Sequence, residues 1–134
     1  MLVSLGLKNF KCFDSLVLKF GSFNLLTGTN AMGKSSVLQA ILLLLQSDGD
    51  RLELNGDLVR IGTVSDVLYR YATTDEIEIQ LNARRLRYRV DLSDDAVLIV
   101  QEPRAGTGLD GLGFSHCAYL NCERIGPRTS YAAL

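Results

Sequence analysis

Eight consecutive residues carry the most specific chemistry in this sequence. Gly28, Thr29, Asn30, Ala31, Met32, Gly33, Lys34 and Ser35 match G-x-x-x-x-G-K-[ST] at every fixed position. The pattern suits a polyphosphate. Its two glycines let the backbone turn tightly and approach an anion, its amides converge on one point, and its lysine and hydroxyl supply a charge and a hard oxygen ligand. Lys34 is expected against the outer phosphates of a nucleotide and Ser35 on Mg2+, with Ser36 continuing the same turn. The plainer alternative is that the glycines only punctuate a strand-to-helix turn. A motif this short is judged by its flanks.

Those flanks are the elements that must hold the loop. Residues 23–27 read Phe-Asn-Leu-Leu-Thr, an apolar run of the kind that makes a buried strand, and residues 35–46 read as a helix without proline or glycine. A helix N-terminus contributes about 0.3–2 kcal/mol toward an anion. The fixed amides and the Lys34 ammonium must therefore supply much of the rest.

With 134 residues the chain has the size of one domain. Apolar residues make up 47% and charged residues 22%, as in an ordinary soluble protein. Fourteen basic against fifteen acidic side chains leave a net charge of -1, so there is no global attraction to nucleic acid or to an acidic membrane. The longest apolar run, residues 40–45, is far short of a membrane span, and the N-terminus lacks the pattern of a signal peptide. A cytoplasmic location is expected. Cys12, Cys117 and Cys122 are odd in number and irregularly spaced, which reads as free thiols, and His116 with the last two lacks a fourth zinc ligand.

Along the chain, residues 2–7 and 15–20 alternate as strands, so with residues 23–27 three short strands precede the loop. Val37, Leu38, Ile41, Leu42, Leu44 and Leu45 leave the helix little polar face, which predicts cover on more than one side. Asn55-Gly56 between residues 51–54 and 57–60 is a two-residue hairpin signal. A short helix is expected at residues 65–71. Strands follow at residues 76–81, 85–90 and 96–100, the second with Leu86, Tyr88 and Val90 inward and Arg85, Arg87 and Arg89 outward. This is an antiparallel meander. Residues 103–113 read as a glycine-rich loop, 114–120 as a strand and 121–128 as a loop.

A loop strand and helix followed by a meander, instead of further βαβ units, resembles the nucleotide-binding lobe of ABC-type ATPases of the SMC, RecF and OLD class. Three stretches carry the likeness. The first is Asn9-Phe10-Lys11-Cys12-Phe13, where that class has an aromatic and a basic residue beside the phosphates. The second is the loop with Asn30 in its third position and its continuation Ser36-Val37-Leu38. The third is the run from Tyr119 through Glu123, Arg124, Ile125, Gly126 and Pro127 to Arg128, similar to bacterial AAA-family ATPases of this type.

The resemblance implies an α/β P-loop NTPase fold, the N-terminal lobe of an ABC-type ATPase with an antiparallel β subdomain. Residues 1–47 would hold the first strands, loop and helix, and residues 48–128 the mostly β part. It implies ATP and Mg2+ as cofactors. It also implies a helical lobe, a signature motif and an acidic metal-binding strand, none of which is found before Leu134. A missing C-terminal half or a second head would complete the site, in a homo-oligomer, with a nuclease effector or DNA as further partners.

Several candidates remain open. Val97-Leu98-Ile99-Val100-Gln101-Glu102 imitates the metal-binding strand but carries Gln where Mg2+ needs Asp, so it reads as a meander strand. Residues 109–113 are too loose for the signature motif, and Gln46 and Gln101 are both poorly placed for the glutamine between the lobes. Lys11 reads either as a phosphate contact or as a solvated loop lysine. Arg124 and Arg128 read as nucleotide or partner contacts, or as surface charges. Arg85, Arg87 and Arg89 form a stripe that suits a nucleic-acid backbone or simply faces water. No residue of the chain reads as catalytic, so the isolated chain is expected to bind more than it hydrolyses. The other functional classes are a nucleotide-sensing docking module and a small P-loop kinase or GTPase. The meander and the absence of Asn-Lys-x-Asp argue against the last.

Overall fold

The computed structural model describes residues 2–29, 31–47, 51–82, 84–90 and 97–102. Asn30 lies outside the described residues. So do the expected loops and strand between 103 and 128, and with them His116, Cys117, Cys122, Arg124 and Arg128.

Period-two alternation builds a single sheet. In β1 (Ser4–Phe10) Leu5 and Leu7 are buried while Lys8 is exposed, and β2 (Phe13–Lys19) sets Leu18 and Leu16 opposite them. β3 (Arg51–Glu53) is short. β4 (Glu76–Leu81) buries Ile77, Ile79 and Leu81, and β5 (Arg84–Arg89) buries Tyr88 while Arg85, Arg87 and Arg89 are exposed. β6 (Val97–Glu102) completes the set, with a register shift against β5 at Arg87/Tyr88. The sheet order is β2-β1-β4-β5-β6-β3, and every neighbouring pair is antiparallel. The β4-β5-β6 meander is as the alternation predicts. β1 and β2, expected to accompany the loop and helix, belong to that same sheet because β1 pairs with both β2 and β4.

The helix α1 (Lys34–Gln46) buries Val37, Ala40, Leu42, Leu43 and Leu44, and all of these but Leu42 join the core cluster that holds the buried residues of β1 and β4. Leu38 stays 44% exposed, so the predicted cover on more than one side is incomplete among the described residues.

Three expectations are corrected. Residues 23–27 form no strand, and Phe23 and Leu25 are 83% and 75% exposed. A strand needs a neighbour to take its backbone groups, and no described segment pairs with this one. The Asn-Gly hairpin is wider than two residues: Asn55 bridges Arg60, and Gly56 N–H donates to Val59 O, so Asn55-Gly56 opens the turn instead of forming its tip. The cause is Gln46. Its amide donates to Glu53 O and Val59 O and accepts from Leu58 and Val59 N–H, occupying the inside of the turn. A Cβ at residue 56 would come within 2.7 Å of that amide, which explains the glycine. The helix expected at 65–71 shrinks to one 3-10 turn, Val64–Asp66, because Leu68 bridges Phe10 and Tyr69 N–H turns to Asn9 O.

Candidate functional site

The loop is shaped by backbone that only small or permissive residues accept. Gly28 and Gly33 have φ of +150° and +89°, the values for which glycine was expected at both places, and Ala31 joins them at +68°. Gly33 is the N-cap of α1 and offers no side-chain cap, so the helix's first amides are left for another acceptor. There is no acidic residue in the first turn to compete for them. The Lys34 ammonium curls back over the loop and donates to Gly28 O and Thr29 O, both at 2.6 Å.

Opposite the loop stands a wall that the motif does not announce. The β1–β2 turn carries Lys11 at φ +52°, and its N–H donates to Val67 O at 2.6 Å. The preceding Asn9, also left-handed at +54°, is buried with its amide donating to Thr74 Oγ1 and Glu76 O. Asparagine tolerates that conformation, and its satisfied amide explains a polar group in the core. The 3-10 turn is held by Thr63 and Asp66, with the Thr63 N–H and hydroxyl both donating to Asp66 Oδ2.

Loop and wall enclose a cavity of about 490 Å³. Lys11, Ala31, Gly33, Lys34, Ser35 and Ser36 come together there, joined by Cys12, Ser65, Asp66, Leu68 and Arg70. Gly28, Thr29 and Met32 instead face a second, apolar cavity of about 270 Å³ with Gly33 and Lys34. The Lys11 pKa is lowered, chiefly by burial, against the pull of Asp66 and Cys12. The Asp66 carboxyl is held below its ordinary value, first by the Thr63 backbone bond and then by its hydroxyl. Arg70, which also lines the larger cavity, has its guanidinium carbon 5.7 Å from the Tyr71 ring centroid.

Ser65, Asp66 and Arg70 lie outside the motif. Their only signal is Thr63-x-x-Asp66, a capping-box spacing that marks a helical turn but not what it faces. Cys12 is an exposed free thiol, as expected. Arg85 and Arg87 both pair with one carboxylate, Glu78, at 3.3 and 3.2 Å, which fits a water-facing sheet surface. Among the described residues no group of His, Cys, Asp or Glu is arranged to hold a metal, and no helix is long and apolar enough to cross a membrane.

Residues 1–103 match the family model described as AAA ATPase domain. The chain belongs to that family. It is also similar to proteins named DNA replication and repair protein RecF. One, from Pediococcus pentosaceus, is 32% identical over 95 residues, which is 67% of this chain and 25% of that protein. Another, from Lactobacillus johnsonii, is 30% identical over 84 residues, 62% of this chain and 22% of the relative. A third, from Lachnospira eligens, is 29% identical over 92 residues. The likeness to the N-terminal lobe of SMC- and RecF-like ATPases therefore holds, and the chain has the P-loop NTPase character of an ATP-binding ATPase family. The matched stretch spans about a quarter of these relatives' length.

Proposed function

We propose that this chain binds ATP with Mg2+ between the loop of residues 28–36 and the Lys11–Asp66 wall, as the N-terminal part of an ABC-type ATPase head. One observation carries the reading: Lys34, Ser35, Ser36 and Lys11 line a single cavity at the open N-terminus of α1. Uncapped amides and two ammonium groups there favour a polyanion. The donor set fits Mg2+ arriving with the nucleotide and not alone. Ser35 offers one hydroxyl, and Mg2+ commonly takes one or two protein ligands and completes its shell with phosphate oxygens and water. When bound, the ion would neutralise phosphate charge. The chain's own part is to position phosphates with backbone amides, Lys34 and, at the wall, Lys11.

Hydrolysis needs groups that the described residues of this site do not supply. Asp66 is the one carboxylate among the described cavity residues, and Thr63 engages it. The exposed apolar residues Phe23, Leu25 and Leu26 support completion by further chain, since the segment that enters such a loop ordinarily lies in a covered sheet. A C-terminal half or second head, in a cytoplasmic homo-oligomer, would supply both. The relatives are named for DNA replication and repair, so DNA is the first partner to try, ahead of a nuclease effector. The test is calorimetric titration of Mg-ATP into the native chain and Lys34→Ala, with phosphate release followed in parallel. Binding lost in the variant, without turnover by either, supports the reading.

A further inference from the structure

The strongest lead lies at the partition between the two cavities. Gly33 borders both, Cys12 borders the polar one, and Phe13 borders the apolar one. A Cβ on Gly33 would run into the Phe13 ring at Cζ and come within 2.6 Å of Cys12 Sγ, so the ring's tip lies directly against the glycine backbone. The ring itself is anchored. Phe13 pairs with the fully buried Phe10 across the β1–β2 turn and packs against the core. Among the described residues the loop has little other support, since residues 21–29 are exposed and the Lys34 ammonium donates to the loop's own carbonyls.

We infer that Phe13 is a positioning residue of the phosphate cradle. It works from beneath the loop, with its ring tip fixing the height of Gly33 and hence the direction in which the first amides of α1 point. It lines the apolar cavity and not the polar one, so its part is to hold the loop in place and not to bond phosphate. The inference rests on the proposed nucleotide site.

Phe13→Tyr is the decisive variant, because its hydroxyl extends from Cζ into the space that Gly33 occupies. Phe13→Leu is the companion, leaving a gap where the ring tip was. The probes are Mg-ATP and inorganic tripolyphosphate, titrated calorimetrically into the full 134-residue chain, with circular dichroism and the melting transition checking the fold. An amide that no longer points at phosphate forfeits a hydrogen bond to a charged group, which is about 10- to 100-fold in affinity. The expected result is folded variants whose affinities for ATP and for tripolyphosphate fall by the same factor, about 10- to 100-fold. Tyr binding as tightly as the native chain would overturn the inference, since a purely apolar role tolerates the hydroxyl. Loss for ATP alone would overturn it too, by placing the ring on the nucleoside. Loss of the fold in both variants would make Phe13 a core residue and nothing more. If the native chain binds neither probe, the nucleotide site itself fails.

Discussion

Lys34 donates to Gly28 O and Thr29 O at 2.6 Å each, so an arriving phosphate has to offer its ammonium more than two carbonyls do. A charge-assisted bond to phosphate meets that condition. Lys11 is the complementary case. Burial outweighs its attraction to Asp66 and Cys12 and lowers its pKa below the ordinary 10.5. The unfolded chain thus binds more protons between the two values. Stability from this position is lowest below the folded pKa and recovers as pH rises toward 10.5. A charge held at such a cost to folding is what a binding site requires. Lys11→Met is therefore expected to raise the urea midpoint at pH 7 while weakening Mg-ATP binding. Equilibrium unfolding and calorimetry on one preparation check both, and a variant that is less stable or binds unchanged contradicts the assignment.

At the scale of elements, Gln46 ties the C-terminal end of α1 to the turn at residues 53–59 through four hydrogen bonds. Gln46→Ala removes all four at once, and its expected cost is about 1–3 kcal/mol, read from the shift in denaturant midpoint. Nucleotide affinity should not follow, because Gln46 sits at the opposite end of the helix from Lys34. The sequence pointed to a hairpin here but not to its width. Asn55-Gly56 is a local signal, whereas the glycine answers to an amide ten residues earlier. The 3-10 turn teaches the same lesson. Residues 65–71 look helical in isolation, and the pull of Asn9 O on Tyr69 N–H and the bridge of Phe10 to Leu68 end the helix after one turn. By contrast β4, β5 and α1 were legible to within one residue, since each buries one face and alternation or helical spacing reports that face. Within the site, Gly28 and Gly33 were readable because their backbone demands glycine, while Ser65, Asp66 and Arg70 meet the loop only through tertiary pairing.

For the whole molecule, the sheet is built from antiparallel neighbours, yet the segment that leads into the loop stands outside it. Phe23-Asn24-Leu25-Leu26-Thr27 reads as a buried strand and is exposed, because burial is decided by what covers a segment and not by its composition. The matched stretch spans about a quarter of its relatives, and the proposed head places that cover in further chain. Leu25→Ser distinguishes the cases. In the 134-residue chain it should change stability by no more than about 0.5 kcal/mol. In a head completed by further chain it should cost about 1.5–3 kcal/mol, the value of burying a leucine. A small cost in both settings would mean that the completed head leaves the segment exposed, and a large cost already in the 134-residue chain would mean that these residues cover it.

The measurement that reaches the central claim most directly is the titration of Mg-ATP into the native chain and Lys34→Ala. The account predicts saturable binding by the native chain that weakens at least about tenfold in the variant, the scale of losing one charged hydrogen-bonding partner. Equal binding by both proteins, or none by the native chain, would contradict a nucleotide site at residues 28–36.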